Sequence, residues 1–148
     1  MKLPTYAALF LVTSFLAACG GSDSPTAPGN GGDTPEPRSI KDDPSFANDI
    51  QEIFDRRGCS SSSCHGAAKS AGMDLRKGAA RSNLVGVTST GDPTQTRVIP
   101  GDAQNSYIVM KLEGRQTAGS RMPLGGTPLD NIDLTNIKNW INKGAKAN

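Results

Sequence analysis

The chain has 148 residues, with 16 basic and 14 acidic side chains, a formal net charge of +2 and a single histidine. That length suits one domain plus targeting or linker segments. So even a charge balance makes no demand for a nucleic acid partner, none is expected, and pairs such as Arg56-Arg57 and Arg76-Lys77 read as solvated faces.

The N-terminus is a targeting segment. Lys2 precedes a short, uncharged and mostly apolar run from Tyr6 to Leu16, which ends in Leu16-Ala17-Ala18-Cys19. This is the pattern of a secretory signal with a small-residue processing site. The run falls short of the roughly 20 apolar residues that a spanning helix needs. Leu-Ala-Ala-Cys resembles the lipobox of bacterial lipoproteins, which implies a signal peptide over 1–18 and lipidation of Cys19. The alternative is an ordinary signal peptide with a cysteine at its cleavage point. Acyl chains contribute about 0.8 kcal/mol per buried CH₂. The expected location is therefore the bacterial cell envelope, lipid-anchored on the periplasmic side or at the outer membrane.

From Gly20 to Pro37, nine of eighteen residues are Gly or Pro and none carries a large apolar side chain. Such a stretch cannot offset its ordering entropy by burial, so 19–41 is expected to be a lipidated cysteine and flexible tether. The folded domain is expected over 42–148. Asp43-Pro44 is a helix start signal. Phe46, Ile50, Ile53 and Phe54 follow at helical spacing, and Gly58 stands as a C-cap. A short helix is expected over Gly78 to Leu84. Another is predicted from Ala103 to Glu113, capped by Asp102 and stopped by Gly114. The last runs from about Asn131 to Lys143, with Leu134, Ile137, Trp140 and Ile141 on one face. Period-two alternation is scarce, so the fold class is all-α, with three to four short helices and long loops. Little more than a hundred residues in such short pieces make a thin core, which a large apolar cofactor would complete.

Cysteine and histidine usage carries the chemistry. With Cys19 assigned to lipid, the remaining two thiols lie in Cys59-Ser60-Ser61-Ser62-Ser63-Cys64-His65, next to the only histidine. Cys-x-x-Cys-His marks covalent attachment of haem c: two thioethers join one edge of the porphyrin, and the imidazole that follows ligates the iron. Here four residues separate the thiols instead of two, and four serines are small enough to let the wider loop pucker outward. Other readings compete. A Cys59–Cys64 disulfide would suit an exported protein but leaves His65 as coincidence. Structural zinc normally takes four Cys or His ligands, and only three remain. A copper site meets the same shortage, although a methionine could join it.

A sixth iron ligand would have to be something other than histidine. Met73 follows His65 by only eight residues. Met110 aligns with Ala103 and Tyr107 in a predicted helix and reads as core. Met122 lies in the irregular loop Arg121-Met122-Pro123-Leu124-Gly125-Gly126 and is the favoured ligand, because His/Met ligation suits an electron-transferring haem.

Together these residues resemble a class I cytochrome c domain: an amphipathic helix, a Cys–Cys-His segment, a Met-Pro loop and a final amphipathic helix. Ala71-Gly72-Met73-Asp74-Leu75, Arg97-Val98-Ile99-Pro100-Gly101-Asp102, Ser106-Tyr107-Ile108 and Trp140-Ile141-Asn142-Lys143-Gly144-Ala145 look like a bacterial envelope monohaem subgroup, in which a widened cysteine spacing is familiar. The resemblance implies that the first and last long helices cross, bringing Phe46, Ile50 and Phe54 to Ile137, Trp140 and Ile141. It implies a haem propionate partner among Arg97, Tyr107 and Trp140, and a backbone carbonyl holding the second ring nitrogen of His65. The expected function is electron transfer between redox partner proteins of the envelope, through one covalent haem held by Cys59 and Cys64 and ligated by His65 and Met122. No catalysis and no small-molecule substrate are expected. The alternatives are a five-coordinate haem binding a small gas or peroxide, and a haem-free lipoprotein stapled by a disulfide.

Overall fold

The computed structural model describes residues 37–148. The predicted signal segment, Cys19 and most of the predicted tether lie outside the described residues. Four short helices joined by long loops form the domain: α1 (Gln51–Arg56), α2 (Ala80–Leu84), α3 (Tyr107–Glu113) and α4 (Asn131–Asn142). Isolated bridges pair Val85 with Val98, Thr88 with Thr96 and Ile99 with Asp102. Among the described residues no sheet forms, and the domain is small and mostly all-α. None of their helices is long and apolar enough to cross a membrane.

Local side-chain chemistry decides where each helix starts. Ser45, not Asp43, begins the first one: its Oγ accepts from the Asn48 amide at 3.3 Å, and Asp49 reaches back to the Ser45 amide at 2.8 Å. This reciprocal cap satisfies two otherwise free donors. Phe46–Ile50 then winds as a π-helical turn that runs directly into α1. Two further amides at this end are taken by the end of the chain, with Ala47 N donating to Asn148 O at 2.9 Å and Phe46 N to Asn148 Oδ1 at 3.0 Å. The start of α3 also differs from expectation. Asp102 closes a local turn by accepting from the Asn105 amide at 3.0 Å, so α3 begins at Tyr107 after Ser106 rather than at Ala103. The other end conforms, since Gly114 terminates α3 with a left-handed backbone.

The first and last helices meet in the core. Phe46, Ile50 and Phe54 share one buried cluster with Ile137, Trp140 and Ile141. The rings of Phe46 and Trp140 lie 5.1 Å apart at 43°, within the range of favourable aromatic pairs.

Residues 38–41, read by composition as the end of the tether, are bonded to α4. Arg38 Nη1 donates to Asp130 and Asp133 at 2.8 and 2.9 Å. Lys41 N donates to Asn136 Oδ1 at 2.8 Å, and Asn136 Nδ2 to Ser39 O at 2.9 Å. Asp133 also receives Arg56 Nη2 at 2.6 Å, so one carboxylate, 1% exposed, ties together the leading segment, α1 and α4. Removing a buried charge partner costs about 3–5 kcal/mol when the remaining charge stays buried. Both arginines here can rehydrate, so Asp133→Ala should cost about 2 kcal/mol, and Arg38→Ala clearly less. Urea midpoints with unchanged m-values would check both.

Candidate functional site

The end of α1 delivers the first cysteine. Gly58 adopts φ +71; its amide donates to Asp55 O at 3.1 Å, and the Cys59 amide donates to Phe54 O at 2.8 Å. These paired bonds form a Schellman motif, which fixes Cys59 to the last turn of the helix. The serine loop that follows is closed at its base. His65 N donates to Cys59 O at 3.1 Å, and Cys64 N donates to Ser61 O at 3.0 Å. Ser61, Ser62 and Ser63 are exposed, so the two additional residues bulge into solvent while Cys59 and Cys64 line the same cavity.

Gly66, which the sequence reading passed over, makes this closure possible. A Cβ built there would lie 2.3 Å from Ser60 O and 2.6 Å from Ser61 O, and its amide donates to Ser61 O at 2.9 Å. Only glycine admits that approach. Its place directly after Cys64-His65 was the available signal.

His65 is half-buried, and its Nδ1 lies 2.8 Å from Ser70 O. A carbonyl only accepts, so Nδ1 carries the proton and Nε2 of the neutral ring keeps its lone pair. Burial holds the imidazole below its ordinary pKa, with the Arg97 charge adding to the effect and the Ser70 bond opposing it. The ring is therefore held in the state that a metal ligand requires.

The two thiols differ. Burial pushes Cys59 up to about 11, whereas hydrogen bonds with Ser61 and Ser63 hold the exposed Cys64 thiol below its usual value. Both are free cysteines. Among the described residues, no group of three or more His, Cys, Asp or Glu side chains is placed to hold a bare metal ion.

These residues open onto a cavity of about 640 Å³, within the roughly 300–1,000 Å³ of small-molecule and cofactor sites. Phe54, Leu75, Leu84, Leu112, Leu129 and Ile137 are among the apolar side chains of its wall. Met122 also lines it, partly buried against the core. The Met122 amide donates to Lys111 O and Arg121 Nε to Leu112 O, each at 2.9 Å. The methionine loop is thus pinned to the last turn of α3. Met73 reaches the same cavity despite its short distance from His65 in sequence, and Met110 is only half-buried and does not line it.

Three cations line the cavity, Arg57, Arg97 and Lys111, together with no carboxylate. Of the three candidate propionate partners, Arg97 and Tyr107 belong to this wall. Trp140 does not: it packs on Phe46 and its Nε1 donates to Lys146 O at 3.0 Å.

Comparison with protein-family models, with curated proteins and with solved structures found no match to this chain.

The loop geometry separates two glycine substitutions. Gly66→Ala must displace backbone and should cost about 3 kcal/mol, the upper end for overpacking. Gly58→Ala meets no atom within 4 Å and should cost only the left-handed penalty of about 1–2 kcal/mol. Chemical denaturation of the two variants beside the parent would give both values.

Proposed function

We propose that the protein is a membrane-tethered monohaem cytochrome c that transfers electrons between redox partners of the bacterial envelope. The observation that carries this reading is convergence. Cys59, Cys64, His65 and Met122, drawn from two distant loops, line one apolar cavity. The wall suits the group chemically as well. An apolar ring with two acidic arms asks for hydrophobic walls and cationic partners without competing carboxylates, which is the composition found.

In this reading Cys59 and Cys64 would hold the ring covalently, and Nε2 of His65 and the Met122 thioether would supply the iron's ligands. The haem would supply a reversible one-electron iron couple. The protein holds the imidazole in the Nδ1–H tautomer through Ser70, and the apolar wall excludes water. The Schellman turn of α1 and the Gly66 contact keep the two thiols on one loop. Lys111 offers positive charge to the propionates, and Arg97, whose guanidinium is bonded to main-chain carbonyls, contributes only its longer-range positive field at the same wall. With His65 engaged at the iron, no second histidine is available for acid–base work on a bound peroxide.

Intact mass of the denatured protein, expressed with haem-attachment machinery, tests the reading. A mass raised by one haem, with neither Cys59 nor Cys64 open to alkylation, is expected. An unmodified polypeptide with two alkylatable thiols would contradict it. The assignment of Met122 has its own check. Reduced Met122→Ala should bind carbon monoxide readily at neutral pH, and reduced Met73→Ala should not. The reverse pattern would move the sixth ligand to Met73.

A further inference from the structure

The bond that orients His65 rests on strained backbone. Lys69 lies at φ +48, Ala71 at φ +54 and Gly72 at φ +62. Glycine takes that region freely, but a residue with a side chain is disfavoured there. Such strain persists only where the surroundings over-determine it. Ser70, whose carbonyl accepts the His65 proton, sits between the two strained non-glycine residues.

Two side chains from the segment 90–97 restrain this turn. Arg97 is 6% exposed. Its Nη2 donates to Ala71 O at 2.9 Å and to Gly72 O at 3.4 Å, and its Nη1 to Asn83 O at 2.8 Å. Thr90 Oγ1 donates to Ala71 O at 2.6 Å. Arg97 is itself anchored, its amide donating to Val87 O at 2.8 Å and its carbonyl accepting from Ile108 N at 3.0 Å. Among the described residues no carboxylate pairs with this guanidinium. A buried arginine committed to carbonyls rather than to a counter-charge is unfavourable unless those carbonyls need it. Two of the three flank Ser70 directly or one residue on.

We propose that Arg97 and Thr90 are positioning residues that clamp the strained turn 69–72 and so hold the Ser70 carbonyl on His65. The clamp is a property of the chain; its redox consequence rests on the haem reading above. A firmly held acceptor at Nδ1 raises the basicity of the imidazole at Nε2. That favours the oxidised metal and lowers the reduction potential, and loosening the clamp reverses the effect.

Thr90→Val and Arg97→Lys both preserve formal charge, so neither removes a cation from the cavity wall. In the haem-loaded protein each should raise the reduction potential. Each should also lower the iron–histidine stretching frequency in the resonance Raman spectrum of the reduced form, read in a Met122→Ala background. Asp133→Ala weakens the fold without touching turn 69–72 but removes a charge that acts on Cys59, so it should leave the iron–histidine frequency unchanged and serves as the control for that readout alone. Should the isolated protein carry no haem, the haem reading fails, and the ¹⁵N shifts of the single histidine ring judge the clamp instead. A lone Nδ1–H tautomer in the parent and a tautomer mixture in both variants would support it. Unchanged frequency and potential in loaded protein, or an unchanged tautomer in haem-free protein, would overturn the clamp.

Discussion

His65 donates its Nδ1 proton to the Ser70 carbonyl at 2.8 Å, and that bond decides which nitrogen of the only histidine retains a lone pair. Much of the surrounding backbone serves to keep it. Ser70 N donates to Cys64 O at 3.0 Å and Leu75 N to His65 O at 2.6 Å, so residues 64–75 fold back on themselves around the ring. The bond would be easily lost if the turn were free, because its acceptor is an exposed main-chain group competing with water. Its restraint comes from tertiary contacts, with Arg97 and Thr90 reaching in from a separate segment.

Outward from that bond, the domain divides its work between two helix ends. The C-terminus of α1 presents the cysteine loop through a Schellman turn, and the C-terminus of α3 holds the methionine loop through the carbonyls of Lys111 and Leu112. Helix ends are apt for this, since their last carbonyls need partners from outside the helix. The Phe46–Trp140 contact and the bonds from Asn148 to the start of the first helix fasten the opposite parts of the chain together. The site can then be built from loops while its supports remain rigid. A small helical domain buries little surface for its length, and a flat apolar group against Phe54, Leu84 and Ile137 would add to what the helices bury among themselves.

Much of this was legible in the sequence, and the exceptions have physical reasons. Helical spacing identified the first and last helices and capping residues the third, whereas the short α2 carried no periodic signal; Gly58 and Gly114 marked two of the ends. Starts were less certain, because Asp43 and Ser45, or Asp102 and Ser106, are equally good capping residues by type. Ser45 caps the first helix with its hydroxyl, whereas the Ser106 hydroxyl is taken by Ile99 N and Asp102 O and α3 starts without a side-chain cap. The attachment of Arg38 and Lys41 to α4 could not be read from a Gly- and Pro-rich composition, since it depends on side chains more than ninety residues away. At the site, adjacency alone marked Cys59, Cys64 and His65 as a group. Gly66 could have been suspected from its position, but Ser70 could not, because left-handed backbone at Lys69 and Ala71 has no signature in residue type. Trp140 carried two expectations: its packing against Phe46 is what the structure shows, whereas its place among the candidate propionate partners does not hold, because Nε1 is taken by Lys146 O.

The most direct test of the account is a pyridine haemochrome spectrum of the purified, denatured protein, because the position of its α-band counts the saturated vinyl groups. The account predicts the band of a haem joined through two thioethers, with both Cys59 and Cys64 engaged across the four-serine loop. A band characteristic of one thioether would leave one thiol outside the site. A band of unattached haem, or none, would contradict the central claim that this loop and His65 form a covalent haem site.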